Sequence, residues 1–366
     1  MSTQDSTPWG GQRLQALLGL DHPIVQGPFG GGLSSVTLAA AVAQAGGLGS
    51  YGAHILMPDE ITTLVAELHA ATSRAFAVNL WVPHPSESDL PVGPANLAPH
   101  IDRLRPFLDE LGLPAPDPTQ PLVLPDFDAQ VDALLAAAPP AISFVMGVPS
   151  QRILTRARRA GIVTIGTATT VAEAVALEAA GVDAVVASGS DAGGHRGSFL
   201  RPVRESLVGT FSLVPQVADA VSVPVIAAGG IADGRGIAAA LTLGADGVQI
   251  GTGFLGTEES GASTLHKQAL HSPEASVTVL TRLFSGRLAR AIPNRFIAEL
   301  ADAENDVPGY PVQNALMLPI RRAAAERGLP DYVNLWAGQA APLTRPRPAR
   351  EYLLCLVADA ARALSR

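Results

Sequence analysis

Cysteine is almost missing from this chain: Cys355 is the only one in 366 residues. That excludes a disulfide framework and any Cys-ligated metal site. Charge is also sparse, at 16% of residues, and the net balance of −8 leaves lysines and arginines scattered. Nucleic acid and anionic membrane surfaces are therefore poor partners for it. No apolar run approaches the roughly 18 residues of a membrane span without meeting Gly, Pro or a charge. The opening stretch MSTQDSTPWGGQR has neither the basic nor the apolar region of a signal peptide. A cytoplasmic protein with no membrane and no nucleic-acid partner is the expectation.

What the chain does have is short apolar runs separated by alanine-rich segments. Strands are predicted at Pro23–Gly27, Gly47–Gly52, Ala75–Trp81 and Ala141–Gly147. Four more are predicted at Gly161–Thr167, Asp183–Ser188, Val223–Gly230 and Asp246–Gly251. They are apolar almost throughout, as strands covered on both faces must be. Between them, SSVTLAAAVAQAG, TTVAEAVALEAAG and DGRGIAAALTLG each open on a capping residue and close on glycine, the punctuation of a helix. PSQRILTRARRAG and FSLVPQVADAV read as further helices.

Eight strands alternating with helices fit a (β/α)₈ TIM barrel or an open doubly wound sheet. The count, the regular spacing and the repeated helix–Gly–strand transition in AAGVDAVVAS and TLGADGVQIG favour the barrel. Such a barrel takes roughly 250 residues, so the chain has room for one barrel and additions. The whole is read as a single domain with its barrel core over about 21–256. A Pro-rich insertion over about 82–140 follows the third strand, and a partly helical extension over about 257–366 follows the eighth. A connection as long as the insertion is usually functional or disordered, and a lid is one possibility. The extension is expected to complete the last barrel helix and then cap or wall a pocket.

In a parallel barrel the chemistry gathers at the C-terminal ends of the strands. Those ends carry few acids, Asp191 being the nearest, so paired-carboxylate glycosidase chemistry and a carboxylate metal site fit poorly. Glycines follow the seventh and eighth strands instead. Gly229-Gly230 and Gly251-Thr252 occupy the two loops that commonly hold phosphate in barrels, and the helix after Ile231 would add its positive end. Asn79 and Gln249 offer amides to a planar heterocycle. Gly27 and Pro28, followed by Phe29, would bring backbone close to a ring face. Phosphate at one end with amides and bare backbone at the other is a layout for FMN.

His195 lies in the loop after the sixth strand, within SGSDAGGHRGS. A lone loop histidine is ordinarily a surface residue or a backbone partner. Here Gly193, Gly194 and Gly197 would let the backbone fold tightly over a flat ligand and aim the imidazole into the cleft, where it could do acid–base work. His54 and His84 are secondary pocket candidates, and the remaining histidines are read as structural.

These residues resemble a known family. The motifs IVQGPFGGGLS, AQAGGLGSYGAH, FAVNLW, ISFVMGVPS, AGGHRGS, VPVIAAGGIADGRG and GADGVQIGT look like those of the FMN-dependent nitronate monooxygenases, formerly called 2-nitropropane dioxygenases. The resemblance runs from about Asp21 to Thr252 and extends into the tail through LFSGRLARAIPNRF and LWAGQAAP. It implies that Asn79, Gly193, Gly230 and the run Gln249, Ile250, Gly251, Thr252 meet FMN, with His195 as the active-site histidine. It also implies that an alkyl nitronate such as propionate 3-nitronate reduces the flavin and O₂ reoxidises it, giving a carbonyl compound and nitrite. Small-molecule substrate and O₂ are then the partners, and no nicotinamide cofactor is needed; no metal site is expected.

One departure stands out. The family pattern has Gln-Gly-x-Glu before Ala-Gly-Gly-His, where this chain has Ser188-Gly189-Ser190-Asp191. Ser188 can still hydrogen bond to the flavin but is shorter. Two alternatives stay open: an NAD(P)H-dependent flavin reductase resembling the FMN-dependent enoyl-acyl-carrier-protein reductases, and a flavin-binding relative with altered catalysis. A nucleotide dehydrogenase with a catalytic cysteine is excluded, because Cys355 lies outside the barrel.

Overall fold

The computed structural model of the chain describes residues 12–84, 94–119 and 125–365. Within them the strands are β1 (Ile24–Gln26), β2 (Gly49–Gly52), β3 (Phe76–Trp81), β4 (Ala141–Val145), β5 (Val163–Ala168) and β6 (Ala184–Ser188). They continue with β7 (Gly194–His195), β8 (Val225–Ala228), β9 (Gly247–Ile250), β10 (Val279–Thr281) and β11 (Ala289–Ala291). The α-helices are α1 (Arg13–Leu18), α2 (Val36–Gln44), α3 (Pro58–Ala71), α4 (Pro94–Glu110), α5 (Phe127–Ala137), α6 (Gln151–Arg159) and α7 (Val171–Ala180). After these come α8 (Thr210–Ala220), α9 (Gly234–Thr242), α10 (Thr252–Leu255), α11 (Thr264–Leu270), α12 (Arg295–Glu299), α13 (Val312–Arg327) and α14 (Ala349–Leu364). No helix among the described residues is long and apolar enough to cross a membrane.

Eight strands pair in parallel in the order β1-β9-β8-β6-β5-β4-β3-β2, and a bridge between Val25 and Leu48 joins the two ends. Gln26 N donates to the Leu48 carbonyl and Leu48 N to the Ile24 carbonyl, both at 2.9 Å, so the sheet closes on itself. This is the (β/α)₈ barrel. Alternation along each strand divides the apolar residues between two cores. Val25, Ala77, Ala141, Ile165, Val186 and Ile226 point inward, and Leu14 and Leu18 of α1 join them. Ile24, Val185, Val225 and Val248 point outward onto the helices. Helix starts follow the sequence signals: Ser35, Thr170 and Asp233 cap α2, α7 and α9 through their side chains.

The insertion contains more structure than its proline content suggested. Residues 82–140 hold α4 and α5, and α5 packs on α3 as the barrel helix between β3 and β4. Prolines 99 and 106 lie inside α4, and they obscured a face that recurs at helical spacing through Leu97, Ile101, Leu104, Leu108 and Leu111. The possible lid falls partly on residues 85–93 and 120–124, and the leader reading on residues 1–11, all outside the described residues.

The extension does complete the barrel. α14 packs on α9 and α2 as the eighth barrel helix, so closely that a Cβ on Gly234 would meet backbone atoms of Asp359 and Ala360 at 2.3 Å. Between α10 and α14 the chain makes a detour over the barrel mouth. Here β10, β11 and α11 to α13 share an apolar cluster with α4 that includes Phe107, Phe284, Phe296, Leu316 and Ile320. The insertion and the extension, separate in sequence, are one packed body above the barrel.

Phe296 is central to that union, with its ring 5.0 Å from Phe107 and 5.1 Å from Phe284. Phe296→Ala should cost about 3–5 kcal/mol of stability through lost contacts and a residual cavity. Denaturant unfolding measures this, and a loss as small as that of a surface substitution would show that the lobe does not depend on this ring.

Candidate active site

At the barrel mouth, one rim is built from the ends of β1 and β9. Gly27 N donates to the Ile250 carbonyl at 2.8 Å. A Cβ on Gly27 would touch the Gly251 Cα at 3.0 Å, so both positions present bare backbone. Pro28 and Phe29 follow, half-buried. The Phe29 carbonyl takes the Gly52 N–H at 3.2 Å, which ties this rim to β2. Ile250 is fully buried, so only its backbone reaches the mouth.

The adjoining stretch of the mouth carries the loops after β6, β8 and β9. Gly229 and Gly230 adopt φ of 106° and 69°, a region that favours glycine. Asp191 accepts from both the backbone N–H and the hydroxyl of Thr210 at 2.8 Å. Residues from the extension stitch these loops together. Gly338 N donates to Thr252 Oγ1 at 2.9 Å, and Gln339 N donates to the Asp191 carbonyl at 2.9 Å. Gly193 lies so close that a Cβ there would sit 2.4 Å from Gly338 N. At the start of α9, Asp233 accepts from Arg235 N at 2.9 Å and Gly236 N at 3.2 Å, so the second and third amides of this helix are held by its own cap.

On β9 itself, Gln249 is half-buried and its amide has no hydrogen bond among the described residues. Asn79 is buried, with Nδ2 donating to the carbonyl and hydroxyl of Ser143 at 3.1 and 3.0 Å. Gln26 is committed to the fold, accepting from Ser50 N at 2.8 Å. Ser188 ends β6 under the guanidinium of Arg196, which donates to the Ser188 carbonyl at 2.6 Å and the Gly189 carbonyl at 2.7 Å, with Ser188 Oγ at 3.4 Å. Arg196 is 2% exposed, and its burial, with Arg290 nearby, lowers its pKa to about 10 against the pull of Glu173 and Asp191. Glu173, fully buried, holds the other end of the same loop by accepting from Thr169, Phe199 and Leu200.

His195 sits on β7, which pairs antiparallel with β11 of the extension, His195 opposite Ala289 and Gly194 opposite Arg290. Gly194, at φ of 71°, makes the turn into this pairing. The His195 Nε2 lies 2.8 Å from Ser285 Oγ. Around the ring stand Trp81, edge-on at 4.8 Å, and Trp336 at 5.2 Å. Trp81 also stacks flat on His54 at 3.8 Å and meets Tyr310 at 5.4 Å, while the Arg287 guanidinium lies 5.1 Å from the Trp81 centroid. His266 Nε2 and the Trp336 carbonyl are 2.9 Å apart, which anchors the backbone that carries this indole. His54 thus joins His195 in one aromatic cage, whereas His84 stands beside the undescribed residues 85–93.

Burial sets the charge of these rings. It pushes the His195 pKa well below 6.5, with further lowering from His54, Arg287 and Arg321. His54 falls to about 3 by burial and the Arg287 charge, and His266 to about 4 by burial despite its carbonyl partner. Near neutral pH the cage holds neutral imidazoles, able to accept a proton or to share one with a ligand. No cluster of three metal-ligating acidic, His or Cys side chains occurs among the described residues. Ser285, Trp336, Gly338 and Arg196 fall within the motifs LFSGRLARAIPNRF, LWAGQAAP and AGGHRGS, but the sequence gives none of them an individual role. Arg196 adjoins His195, whereas the other three lie far along the chain from it and are marked only by the family motifs.

The chain matches the family model for nitronate monooxygenase over residues 11–359. It is 42% identical over 345 residues to a probable nitronate monooxygenase of Staphylococcus aureus (strain Newman), covering 93% of this chain and 95% of that protein. A nitroalkane oxidase from Streptomyces ansochromogenes has a similar structure, with a TM-score of 0.88 and 40% identity over 96% of this chain and 99% of that one. FabK from Thermotoga maritima has a TM-score of 0.75 and 29% identity, covering 96% of this chain and 97% of its own.

The neutral histidines make stability depend on pH. His54, His195 and His266 stay unprotonated when folded but regain ordinary affinity near 6.5 when unfolded. Their contribution is complete above pH 6.5 and is lost as pH falls toward the folded values. Below about pH 6.5, stability should drop by on the order of 1 kcal/mol per pH unit for each ring. Urea titrations between about pH 7.5 and pH 5.5, where carboxylates stay ionised, test this. A flat profile would mean the rings protonate in the folded chain.

Proposed function

Because the chain belongs to the nitronate monooxygenase family, whose members are flavin-dependent oxidoreductases, we propose that it binds FMN at the barrel mouth and oxidises alkyl nitronates with O₂ to a carbonyl compound and nitrite. Propionate 3-nitronate is the proposed test substrate. Small-molecule substrate and O₂ are its reactants, and a cytoplasmic setting is part of the same reading.

The residues at the mouth suit FMN. Gly251 has only Phe29 within ordinary contact distance of a Cβ, and Gly194 has open space there. Gln249 keeps an unpartnered amide in the same half-buried region. Gly230, Gly251 and Thr252 would hold the phosphate, with Thr252 Oγ1 already positioned by Gly338. Gly27, Pro28, Phe29, Asn79, Ile250 by its backbone, and Gln249 would meet the ring system. Gly193 and Gly194 would allow close approach over it. Ser188 replaces the longer family glutamine, with the Arg196 guanidinium 3.4 Å from its Oγ. FMN, when bound, supplies the acceptor for the electrons taken from the nitronate.

His195 carries the reading. It is neutral, enclosed by Trp81 and Trp336, and held over the strand ends by β11. Toward a neutral nitroalkane it would act as the base that removes the α-proton, and toward a nitronate it would orient the anion. The similarity to a nitroalkane oxidase supports including both substrate forms. A nicotinamide-driven flavin reductase, the alternative drawn from enoyl-acyl-carrier-protein reductases, is separated by the experiment that tests the proposal.

Anaerobic mixing of the flavin-loaded protein with propionate 3-nitronate should bleach the flavin absorbance, and admitting O₂ should restore it with nitrite release. NADPH and NADH should not bleach it quickly. Rapid bleaching by either, with none by the nitronate, would replace this function with the reductase. His195→Asn should lower turnover of a neutral nitroalkane by about 10²–10⁴-fold, the range of a lost general base. An unchanged rate would remove His195 from the chemistry.

A further inference from the structure

Ser285 makes the one hydrogen bond His195 has with another side chain among the described residues. It is 1% exposed and lies between β10 and β11, ninety positions away in sequence, as |i−j| = 90. The same hairpin therefore pairs with the His195 backbone and grips its ring. Three contacts converge on Ser285 Oγ: His195 Nε2 at 2.8 Å, the Arg287 carbonyl at 3.1 Å and Arg287 N at 3.3 Å. A hydroxyl has one proton to give and two lone pairs to receive with. All three contacts are satisfied when Oγ–H donates to the Arg287 carbonyl, Arg287 N–H donates to Oγ, and Nε2–H donates to Oγ. The reverse assignment, with Oγ–H given to Nε2, leaves the carbonyl contact without its donor.

We propose that Ser285 is the positioning residue of this site: it holds His195 in the Nε2–H tautomer and so reserves Nδ1 as the atom that takes the substrate proton. Nδ1 has no hydrogen bond among the described residues. A neutral nitroalkane gives its α-proton to Nδ1, the C–H electron pair passes into the C=N bond of the nitronate, and the imidazolium later returns the proton to solvent. A preformed nitronate needs no such transfer. Ser285 should thus matter to one substrate form and much less to the other, a split that loss of general packing would not produce. The inference rests on His195 being the base, as proposed above.

The test uses the flavin-loaded full chain labelled with ¹⁵N-histidine, with His195→Asn identifying the His195 signals. In wild type, the ¹⁵N shifts should report Nε2–H, and S285A should shift toward a mixture of tautomers. In parallel, kcat/KM of S285A on a neutral nitroalkane should fall about 10–100-fold, part of the general-base contribution, and on the preformed nitronate by less than about threefold, with S285T recovering most of the loss. An Nδ1–H ring in wild type overturns the proposal even if neither variant folds. So does an S285A protein with unchanged tautomer, or with equal losses on both substrates. If wild type turns over neither substrate, the activity reading fails while the ¹⁵N shifts still decide the role of Ser285.

Discussion

The antiparallel pairing of Gly194 and His195 with Arg290 and Ala289 is the joint on which the upper half of the molecule turns. A glycine-rich loop on a barrel strand has no preferred conformation of its own, because each glycine adds backbone freedom that folding must remove. Here that freedom is removed from outside. β11 supplies backbone partners, Ser285 supplies a partner for the ring, and Gly338 and Gln339 bind the neighbouring loops. Glu173 and Arg196 clamp the flanks from within the barrel. The histidine is therefore placed by the detour rather than by the barrel that carries it.

This arrangement explains why the insertion and the extension must be built together. A two-residue strand has little stability alone. β11 can be rigid only if the lobe behind it has a core, and that core needs α4 from the insertion against α12 and α13 from the extension. Their closeness is secured at the edge by Glu110, which accepts from both terminal guanidinium nitrogens of Arg295 at 2.9 and 3.1 Å and from the Tyr332 hydroxyl. Sequence segments about two hundred residues apart, with |i−j| of 185 between Glu110 and Arg295, thus act as one support for the barrel mouth.

The electrostatics follow from the same enclosure. Burial first, and then the fields of His54, Arg287 and Arg321, push the His195 pKa well below 6.5, with no carboxylate among the groups that shift it, so the imidazole is neutral and the cage favours anions. An oxyanion or a nitronate would find Arg287 and Arg321 contributing field to the same space. Arg196 serves another purpose. Its charge is balanced by the strand-end carbonyls of Ser188 and Gly189 and by the fields of Glu173 and Asp191, so it acts as an internal brace.

The barrel was legible in the residues because its signals are local. Each strand is a short apolar run, the helices that start at Ser35, Thr170 and Asp233 end near glycine, and the alternation of strands and helices leaves few topologies. The glycine rims and His195 were legible for the same reason: the strand ends of a barrel are where function gathers, and these residues adjoin them. The helix α4 was hidden because Pro99 and Pro106 mimic a loop, although its apolar face kept its period. Ser285, Trp336 and Gly338 lie in motifs shared with the family, but their contacts were beyond reach, since these join parts of the chain with no shared periodicity. The sequence by itself determined the barrel, the strand-end chemistry and the presence of a histidine above it. Only the tertiary structure decided where that imidazole points, what holds it and that it is uncharged, because orientation and burial depend on surfaces that meet only after the chain has folded.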